Sequence, residues 1–308
     1  MFKKMTKLLG LLGALLLLGS CSLPGLASNH DKNNISIIGG ITTESQIMAA
    51  MISQLLEHDG NFETTLVNNL ATTSIIHQAL VNGDGDIAAA RYTGTDLTTV
   101  LNQEPVTDPQ KALSLVQAGF QEKFHQQYFP SYGFENSYVF LVTKETAEKY
   151  HLQKVSDLQN YADELSVGVD SSWLNRKGDG YPGFISAYDF SFAKTYPMQI
   201  GLVYDAVAAG QMDVILGYST DGRIASYDLV MLEDDRHFFP PYDCAMVVNE
   251  SLFEKHPEAE GILEKLTGKI STEEMQELNY QADNNLLEPA EVAKRFLESH
   301  NYFQEVAK

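Results

Sequence analysis

Short apolar runs alternate with stretches of helical period along most of the chain. The first run, Ile35–Ile38, has the length of a buried strand, and Gly39-Gly40 after it predicts a tight turn. Thr43-Glu44-Ser45-Gln46 has the pattern of a capping box, in which the first and fourth side chains bond to each other's backbone N–H groups, and it predicts the start of a helix. The apolar face of that helix contains Ile47, Met48, Met51, Ile52 and Leu55.

The same alternation continues to the carboxyl end of the chain. The further predicted strands are Leu66-Val67, Ile87–Ala90, Leu165–Val169, Val214–Leu216, Leu229–Leu232 and Ala245–Val248. The predicted helices are Thr72–Val81, Val203–Ala209 and several within His256–His300, while Val155–Tyr161 is a helix or turn and Gly180–Gly183 is a turn. This order of elements predicts an α/β fold whose sheet is largely parallel, with helices on its faces.

One of these strands ends in residues that are typical of a binding site. The run Val214–Leu216 stops at Gly217 and is followed by Tyr218-Ser219-Thr220-Asp221. Ligands of open α/β sheets bind beyond the carboxyl ends of the strands. We therefore expect Tyr218 to lie at the edge of a cleft.

The amino terminus has the pattern of an export signal. Basic residues precede a run of apolar and small residues from Leu8 to Leu18, and Leu18-Gly19-Ser20-Cys21 resembles the lipobox of a lipoprotein. Residues 1–20 are therefore predicted to be a lipoprotein signal peptide, Cys21 the lipidated residue, and 21–34 a lipid-anchored tether. The alternative is an ordinary signal peptide with a chance cysteine. Either signal predicts an exported, extracytoplasmic protein, and lipidation would attach it to the outer face of the cell membrane.

Composition excludes one class of partner. The net charge of -20 argues against nucleic acid, whose phosphates require a basic surface. Cys244 is the only cysteine besides Cys21, so no internal disulfide forms once Cys21 is lipidated. Because Cys244 precedes the apolar run Ala245–Val248, it is predicted to be a buried structural thiol.

Catalytic and metal-binding patterns are not found in the sequence. It contains no Gly-x-Ser-x-Gly, His-Glu-x-x-His or Walker loop, and its histidines do not cluster at the spacing of metal ligands. His237 follows Asp234-Asp235, which could suggest acid–base chemistry, but this stretch is interpreted as an exposed turn. No enzyme activity, cofactor or metal is expected.

Four motifs stand out together in the sequence, namely Tyr92–Thr95, Asp179–Gly183, Tyr218–Ile224 and Leu232–Tyr242. They resemble those of the substrate-binding lipoproteins of osmoprotectant ABC importers, and the resemblance extends from about Ile35 to Phe303. Members of this family capture glycine betaine, carnitine or choline. The resemblance implies delivery of the ligand to a transmembrane permease that works with an ATP-binding subunit, and a monomeric binding protein is expected.

The resemblance also implies a fold. That fold is an α/β, two-lobed periplasmic-binding-protein-like (type II) fold with two crossover strands and the ligand in the interlobe cleft. The crossovers are predicted near Val139–Thr143 and Tyr242–Ala245. Lobe I would then comprise residues 35–140 and 243–308, and lobe II residues 141–242.

The chemistry of these ligands explains the need for aromatic residues. A trimethylammonium group has no N–H to donate, and the negative faces of aromatic rings attract it by about 0.5–2 kcal/mol per contact. By resemblance, the aromatic box consists of Tyr92, Tyr138, Tyr218 and Tyr242, which stand at predicted strand ends or crossovers. Tyr92 and Tyr242 would come from one lobe or its hinge and Tyr218 from the other, so closure would assemble the cage. A lone tyrosine among the 15 of the chain would more often be a core or surface residue.

The carboxylate of a betaine or carnitine needs hydrogen-bond donors. Thr95 can offer its hydroxyl and nearby backbone N–H groups, Asn136 its amide, and Thr43 the N-terminus of a helix. Plain helix capping is the alternative for Thr95 and Thr43. At Gly40-Ile41 many relatives carry a polar side chain that this chain lacks, which leaves backbone groups such as that of Gly40 to bind the carboxylate.

The choice of ligand stays open between several amines. Arg91 and Arg223 are either cationic partners of the ligand or members of structural ion pairs. An uncharged Thr95 does not repel a carboxylate, which favours betaine and carnitine and leaves choline possible. Another small polar solute, an amino acid or a polyamine, is the alternative on the same fold, although no arginine–carboxylate pair of the kind that binds amino acids could be placed in a matching motif.

Overall fold

Ten strands form two five-stranded sheets in the part of the chain that the computed structural model describes, residues 33–171, 173–176 and 178–303. The first sheet contains β1 (Asn34–Gly40), β2 (Glu63–Leu70), β3 (Ile87–Tyr92), β4 (Gln126–Tyr128) and β10 (Cys244–Asn249), in the order β2-β1-β3-β10-β4. The second contains β5 (Tyr138–Thr143), β6 (Ser166–Asp170), β7 (Lys194–Met198), β8 (Val214–Tyr218) and β9 (Leu229–Met231), in the order β7-β6-β8-β5-β9. The predicted signal peptide, Cys21 and the tether up to residue 32 lie outside the described residues.

Helices cover the sheets and connect most of the strands. The α-helices are α1 (Thr43–Gly60), α2 (Thr73–Asn82), α3 (Thr93–Thr99), α4 (Pro109–Phe124), α5 (Lys144–Tyr150), α6 (Tyr181–Tyr188), α7 (Ile200–Ala208), α8 (Arg223–Ser226), α9 (Glu250–Lys255), α10 (Glu258–Leu263), α11 (Thr272–Asp283) and α12 (Pro289–Ser299). Shorter 3₁₀ helices span Val155–Tyr161, Trp173–Asn175 and Glu264–Leu266.

Both sheets are mixed, so the prediction of a largely parallel sheet was wrong. In the first sheet β1 and β3 are parallel, but β10 runs antiparallel to both β3 and β4. In the second sheet β6 is parallel to β7 and β8, whereas β5 is antiparallel to β8 and β9. An alternation of strands and helices predicts parallel neighbours only where consecutive strands belong to the same sheet. Strands β5 and β10 enter their sheets from the other sheet, and the pattern does not report their direction.

Two neighbouring segments link the sheets. The chain passes from β4 to β5 through 129–137 and from β9 to β10 through 232–243. Glu135 and Asp243 form an antiparallel bridge between these segments, and the N–H of Asn136 donates to the carbonyl of Tyr242 at 3.2 Å. The lobe limits given above remain predictions, and the first of them falls inside β5.

Strands buried on both faces explain why their sequences read as continuous apolar runs. Ile37 belongs to the core cluster that includes residues of α1 and α12, while its neighbour Ile38 belongs to the cluster on the opposite face, together with Phe120 of α4. In the second sheet, Phe140 and Leu141 divide between two faces in the same way. The alternating direction of side chains along a strand therefore fills two cores from each sheet.

Three local predictions are corrected by the structure. Gly39 and Gly40 lie within β1 rather than in a turn, and the side chain of Asn68 packs against Gly39, where a Cβ would lie 2.1 Å from its Oδ1. Helix α1 is capped by Thr42, whose side chain accepts from the N–H of Ser45 at 3.3 Å, one residue before the predicted capping box. The predicted turn at Gly180–Gly183 is the start of α6.

The loop after β8 is held by residues from the first-sheet side. Nε2 of Gln276 donates to the carbonyl of Ser219 at 2.6 Å, and Nδ2 of Asn279 donates to the carbonyl of Thr220 at 2.9 Å. Both donors belong to α11, whose residues join the first-sheet core. Gly222 lets this helix approach, because a Cβ at Gly222 would lie 2.6 Å from the Cα of Tyr280.

We predict that Gly222→Ala destabilises the protein, because the added methyl group would collide with the backbone of α11. Overpacking of this kind costs about 1–3 kcal/mol in the free energy of unfolding. Denaturation in urea, followed by circular dichroism, measures the change. Gly261→Ala in α10 is the control, since a Cβ there meets nothing within 4 Å. Equal midpoints for the two variants would contradict the close approach.

Candidate functional site

One cavity of about 200 Å³ brings together six of the residues predicted to bind ligand. Its lining consists of Thr42, Tyr92, Thr95, Asn136, Tyr138, Arg176, Tyr218 and Tyr242. Tyr92 ends β3 of the first sheet, and Tyr138 and Tyr218 belong to the second sheet. Asn136 and Tyr242 lie in the two linking segments. Residues from both sheets and both links therefore meet at one place.

The pairing of β5 with β8 fixes two of the tyrosines. Tyr138 begins β5 and Tyr218 ends β8, and the two residues lie directly opposite each other in the antiparallel ladder. Their ring centroids are 5.2 Å apart, with the ring planes at 42°. Tyr138 is supported from behind by Phe239, at a centroid distance of 5.8 Å. Such cross-strand aromatic pairs stabilise a sheet and leave their rings little freedom.

A polar network holds the third tyrosine. The hydroxyl of Tyr242 donates to Oδ2 of Asp179 and accepts from Nη2 of Arg176 at 3.2 Å. Nε of Arg176 donates to Oδ1 of Asp179 at 2.8 Å, and the guanidinium carbon lies 5.7 Å from the ring centroid of Tyr138. The arginine is thus the cationic group of the cavity lining.

The fourth tyrosine is bonded to a buried acid behind the cavity. The hydroxyl of Tyr92 donates to Oε1 of Glu44 at 2.5 Å, and Nδ2 of Asn136 donates to the same oxygen at 3.2 Å. Glu44 is the second residue of α1 and is 3% exposed. Two walls of the cavity therefore depend on one carboxyl group.

All four phenols remain protonated at neutral pH. Burial raises the pKa of Tyr92, Tyr138, Tyr218 and Tyr242, and nearby acidic groups add to the effect at Tyr92 and Tyr242. No phenolate is available at these positions to offset a bound cation. What the tyrosines offer is the negative face of a neutral ring.

The structure does not bring two of the predicted residues to the cavity. The N–H of Gly40 donates to Oγ of Ser45 at 2.6 Å, and Oγ1 of Thr43 donates to Oδ1 of Asp283 at 2.5 Å on an exposed surface. Neither residue is part of the lining, whereas the neighbouring Thr42 is. The difference follows from the start of α1, which is capped one residue earlier than expected.

Arg91 and Arg223 form structural ion pairs and are not cationic partners of a ligand in this cavity. The guanidinium of Arg91 is 2% exposed and pairs with Asp96, with Nε 3.0 Å from Oδ2. Arg223 pairs with Asp221 at 2.8 Å and covers the ring of Tyr204. Neither arginine lines the cavity.

Sequence reasoning missed Arg176 and Glu44. Arg176 stands three residues before the motif that begins at Asp179, and its position beside a motif was an available signal. Glu44 was considered only as part of a capping box, and no local pattern shows that its carboxyl group faces Tyr92 rather than solvent.

A larger cavity of about 830 Å³ shares Thr95, Arg176 and Tyr242 with the smaller one. Among the described residues, no group of three or more potential ligands could hold a metal ion. Cys244 is buried, as expected of a structural thiol, and burial raises its pKa. Within the same described ranges, every helix is too short or too polar to span a bilayer.

The proteins of known function that this chain resembles are transport proteins. The chain is 53% identical over 294 residues to the carnitine transport binding protein OpuCC of Listeria monocytogenes, covering 96% of this chain and 95% of that one. It is 33% identical over 258 residues to the ergothioneine transport permease/ergothioneine binding protein EgtU of Helicobacter pylori, covering 83% of this chain and 46% of that one. A solved structure of a glycine betaine/carnitine/choline ABC transporter protein matches with a TM-score of 0.85 and 54% identity, over 88% of this chain and all of the other.

These matches confirm the predicted fold class, an α/β two-lobed fold of the type II periplasmic-binding-protein kind. They also confirm that the relatives are transport proteins and not enzymes. Residues 33–299 match a family described as the substrate binding domain of ABC-type glycine betaine transport systems. The chain therefore belongs to the family of substrate-binding domains of ABC-type glycine betaine transport systems.

Proposed function

We propose that this protein captures a quaternary ammonium osmoprotectant, glycine betaine or carnitine with choline also accepted, in the cavity between the two sheets. The observation that carries the proposal is the convergence of four neutral phenol rings, from both sheets and one of their links, on a single small cavity. A trimethylammonium group is roughly spherical and cannot donate a hydrogen bond. Several ring faces are the surroundings that attract such a cation most directly.

The cavity also offers groups for a carboxylate. Arg176 lies in the lining, and its guanidinium presents five N–H donors in a planar fork that suits a carboxylate. The side chains of Thr95 and Thr42 lie in the same lining and carry hydroxyl donors. We therefore assign the carboxylate to Arg176 and Thr95, in place of the helix terminus at Thr43.

The ligands of the relatives support this chemistry. OpuCC is named for carnitine, and the protein of the solved structure for glycine betaine, carnitine and choline. EgtU is named for ergothioneine. All of these compounds carry a trimethylammonium group, and they differ in the rest of the molecule. The adjoining cavity of about 830 Å³ can receive the remainder of a ligand longer than glycine betaine.

In the proposed function, the protein is the ligand receptor of an ABC importer. As an importer's binding protein it is extracytoplasmic. We further propose that Cys21 carries the lipid anchor, that the protein is a monomer, and that closure of the sheets around the ligand precedes delivery to the permease and its ATP-binding subunit. Tyr92 and Tyr218 stand on different sheets, so a relative movement of the sheets changes the size of the cage.

A second candidate is an amino acid. Arg176 and Asp179, bonded at 2.8 Å beside the cavity, provide the cation and carboxylate that together bind the two charged ends of an amino acid. Calorimetric titration with glycine betaine, carnitine, choline, glycine and a polyamine separates the candidates. Binding of the methylated compounds alone supports the proposal, and binding of glycine but not glycine betaine would refute it.

The cage itself is tested by Tyr138→Ala and Tyr218→Ala. Each change removes one ring face, so the affinity for all three quaternary amines should fall together by roughly 2- to 30-fold, the equivalent of about 0.5–2 kcal/mol. Phenylalanine at either position should cost less because the ring face remains. Tyr196→Ala on the exposed edge strand β7 is the control and should leave the affinity unchanged. Loss of affinity for carnitine but not choline would contradict a cage for the shared ammonium group.

The carboxylate contact is tested by Arg176→Gln. Removing a charged donor should weaken glycine betaine and carnitine by about tenfold or more, since hydrogen bonds to charged groups contribute about 1.5–3 kcal/mol. Choline has no carboxylate and serves as the internal control, and Arg295→Gln, on the surface of α12, controls for the change of net charge. An equal loss for all three ligands would assign Arg176 to the support of Tyr242 alone.

Thr95 is expected to decide the order of the ligands. Thr95→Asp places a carboxylate in the cavity lining, which repels glycine betaine and carnitine and attracts choline, so choline should become the preferred ligand. Thr95→Ser keeps a hydroxyl and should leave the order unchanged. Competition titrations give the ratio of dissociation constants, and an unchanged ratio in Thr95→Asp would remove Thr95 from the carboxylate site.

A further inference from the structure

The carboxyl group of Glu44 is buried and bonded to two residues of the cavity lining, but the proposed capture of the ligand makes no use of its charge. It does not line the cavity, but Oε1 accepts from the hydroxyl of Tyr92 at 2.5 Å and from the amide of Asn136 at 3.2 Å, and both of these residues do. Its other oxygen, Oε2, is buried with no hydrogen-bond partner among the described residues. A capping role at the start of α1 does not explain these contacts, since Thr42 caps that helix.

We propose that Glu44 is the counter-charge of the bound ammonium ion, acting through Tyr92 as a positioning residue that makes capture of the cation selective for charge. The inference rests on the proposed function, because it needs a cation in the cavity. Tyr92 lines the cavity and its hydroxyl donates to the carboxylate, so a single phenol links the negative charge of Glu44 to the ligand. A phenol that donates to a carboxylate is also polarised, which increases the negative charge on its ring face.

Burial makes this charge effective. Glu44 is 3% exposed, and water screens its charge little. Without a cation, an ionised carboxylate with one unpartnered buried oxygen is costly. A trimethylammonium ion in the cavity offsets part of that cost without needing a hydrogen bond. Binding of the cation and ionisation of Glu44 therefore favour each other.

Among the described residues, no cationic side chain is paired with Glu44. Tyr92 from β3 and Cys244 from β10 are the titratable groups that face it, and burial raises the pKa of both, so both are neutral. Asn279 from α11 and Thr220 from the loop after β8 are uncharged. Arg176, in the lining of the same cavity, is paired with Asp179.

The direction of a pH effect follows from these contacts. Burial raises the pKa of the Glu44 carboxyl group, and the hydrogen bonds from Tyr92 and Asn136, with the polar side chains of Thr220 and Asn279 nearby, oppose this only in part. A cation in the cavity lowers the pKa again, so binding near that pKa releases protons. Affinity for the cation should be full above the pKa of Glu44 in the free protein and should fall as the pH falls through it.

The test compares choline with its neutral isostere 3,3-dimethylbutan-1-ol, in wild-type protein and in Glu44→Gln. Neither compound titrates in the relevant pH range. On the high-pH plateau of the wild-type affinity, the variant should bind choline at least tenfold more weakly, because two unit charges at an effective dielectric constant of about 20 give a factor of about ten at roughly 12 Å and a larger one at shorter distances. Its affinity for the neutral isostere should match that of the wild type, and its affinity for choline should no longer depend on pH. Glu57→Gln, at a more exposed position of the same helix, controls for net charge.

A measurement on the wild type alone keeps the inference testable if the variant does not fold. Calorimetry of choline binding in two buffers of different ionisation enthalpy should give a net release of protons in the pH range where the affinity changes. Three results would each overturn the role of the charge. The wild type could release no protons on binding choline, Glu44→Gln could lose equal affinity for choline and the isostere, or the pH dependence of choline binding could be unchanged in that variant. Failure of the wild type to bind any quaternary amine would instead refute the proposed function.

Discussion

A methylated ammonium ion donates no hydrogen bond, so the proposed capture depends on ring faces that are fixed in position before the ligand arrives. The antiparallel register of β5 and β8 supplies this constraint by placing Tyr138 directly opposite Tyr218. Hydrogen bonds to Glu44 and Asp179 fix Tyr92 and Tyr242 in turn. The rings are thus positioned by a strand pair and two carboxyl groups, all independent of the ligand.

The supports of the cage also connect the two sheets. Ser219, next to Tyr218, donates to the carbonyl of Glu135 and accepts from the N–H of Ser137 at 2.9 Å, so it is bound to one linking segment. Gln276 binds the carbonyl of the same serine from α11. The wall of the cavity on the second sheet is therefore attached to a helix of the first.

Much of the fold was readable from the sequence because its strands are buried on both faces, which makes runs such as Val214–Leu216 continuously apolar. The direction of β5 and β10 was not readable, since it is decided by connections between sheets. Tyr218 and Tyr242 were predicted from motifs long enough to be specific, whereas Tyr92 and Tyr138 were predicted from their places at a strand end and a crossover. Glu44 and Arg176 were not, because their roles depend on contacts with Tyr92 and Tyr242, 48 and 66 positions away. The two glycines of β1 were misread as a turn, although Gly39 serves the close approach of Asn68.

The most direct test is a crystal structure of the protein grown with glycine betaine. The ligand's quaternary nitrogen should lie within about 6 Å of the ring centroids of the four tyrosines, with its carboxylate directed toward Arg176. Density for the ligand in any other cavity, or a carboxylate among the rings with the ammonium group turned to solvent, would contradict the tyrosine cage.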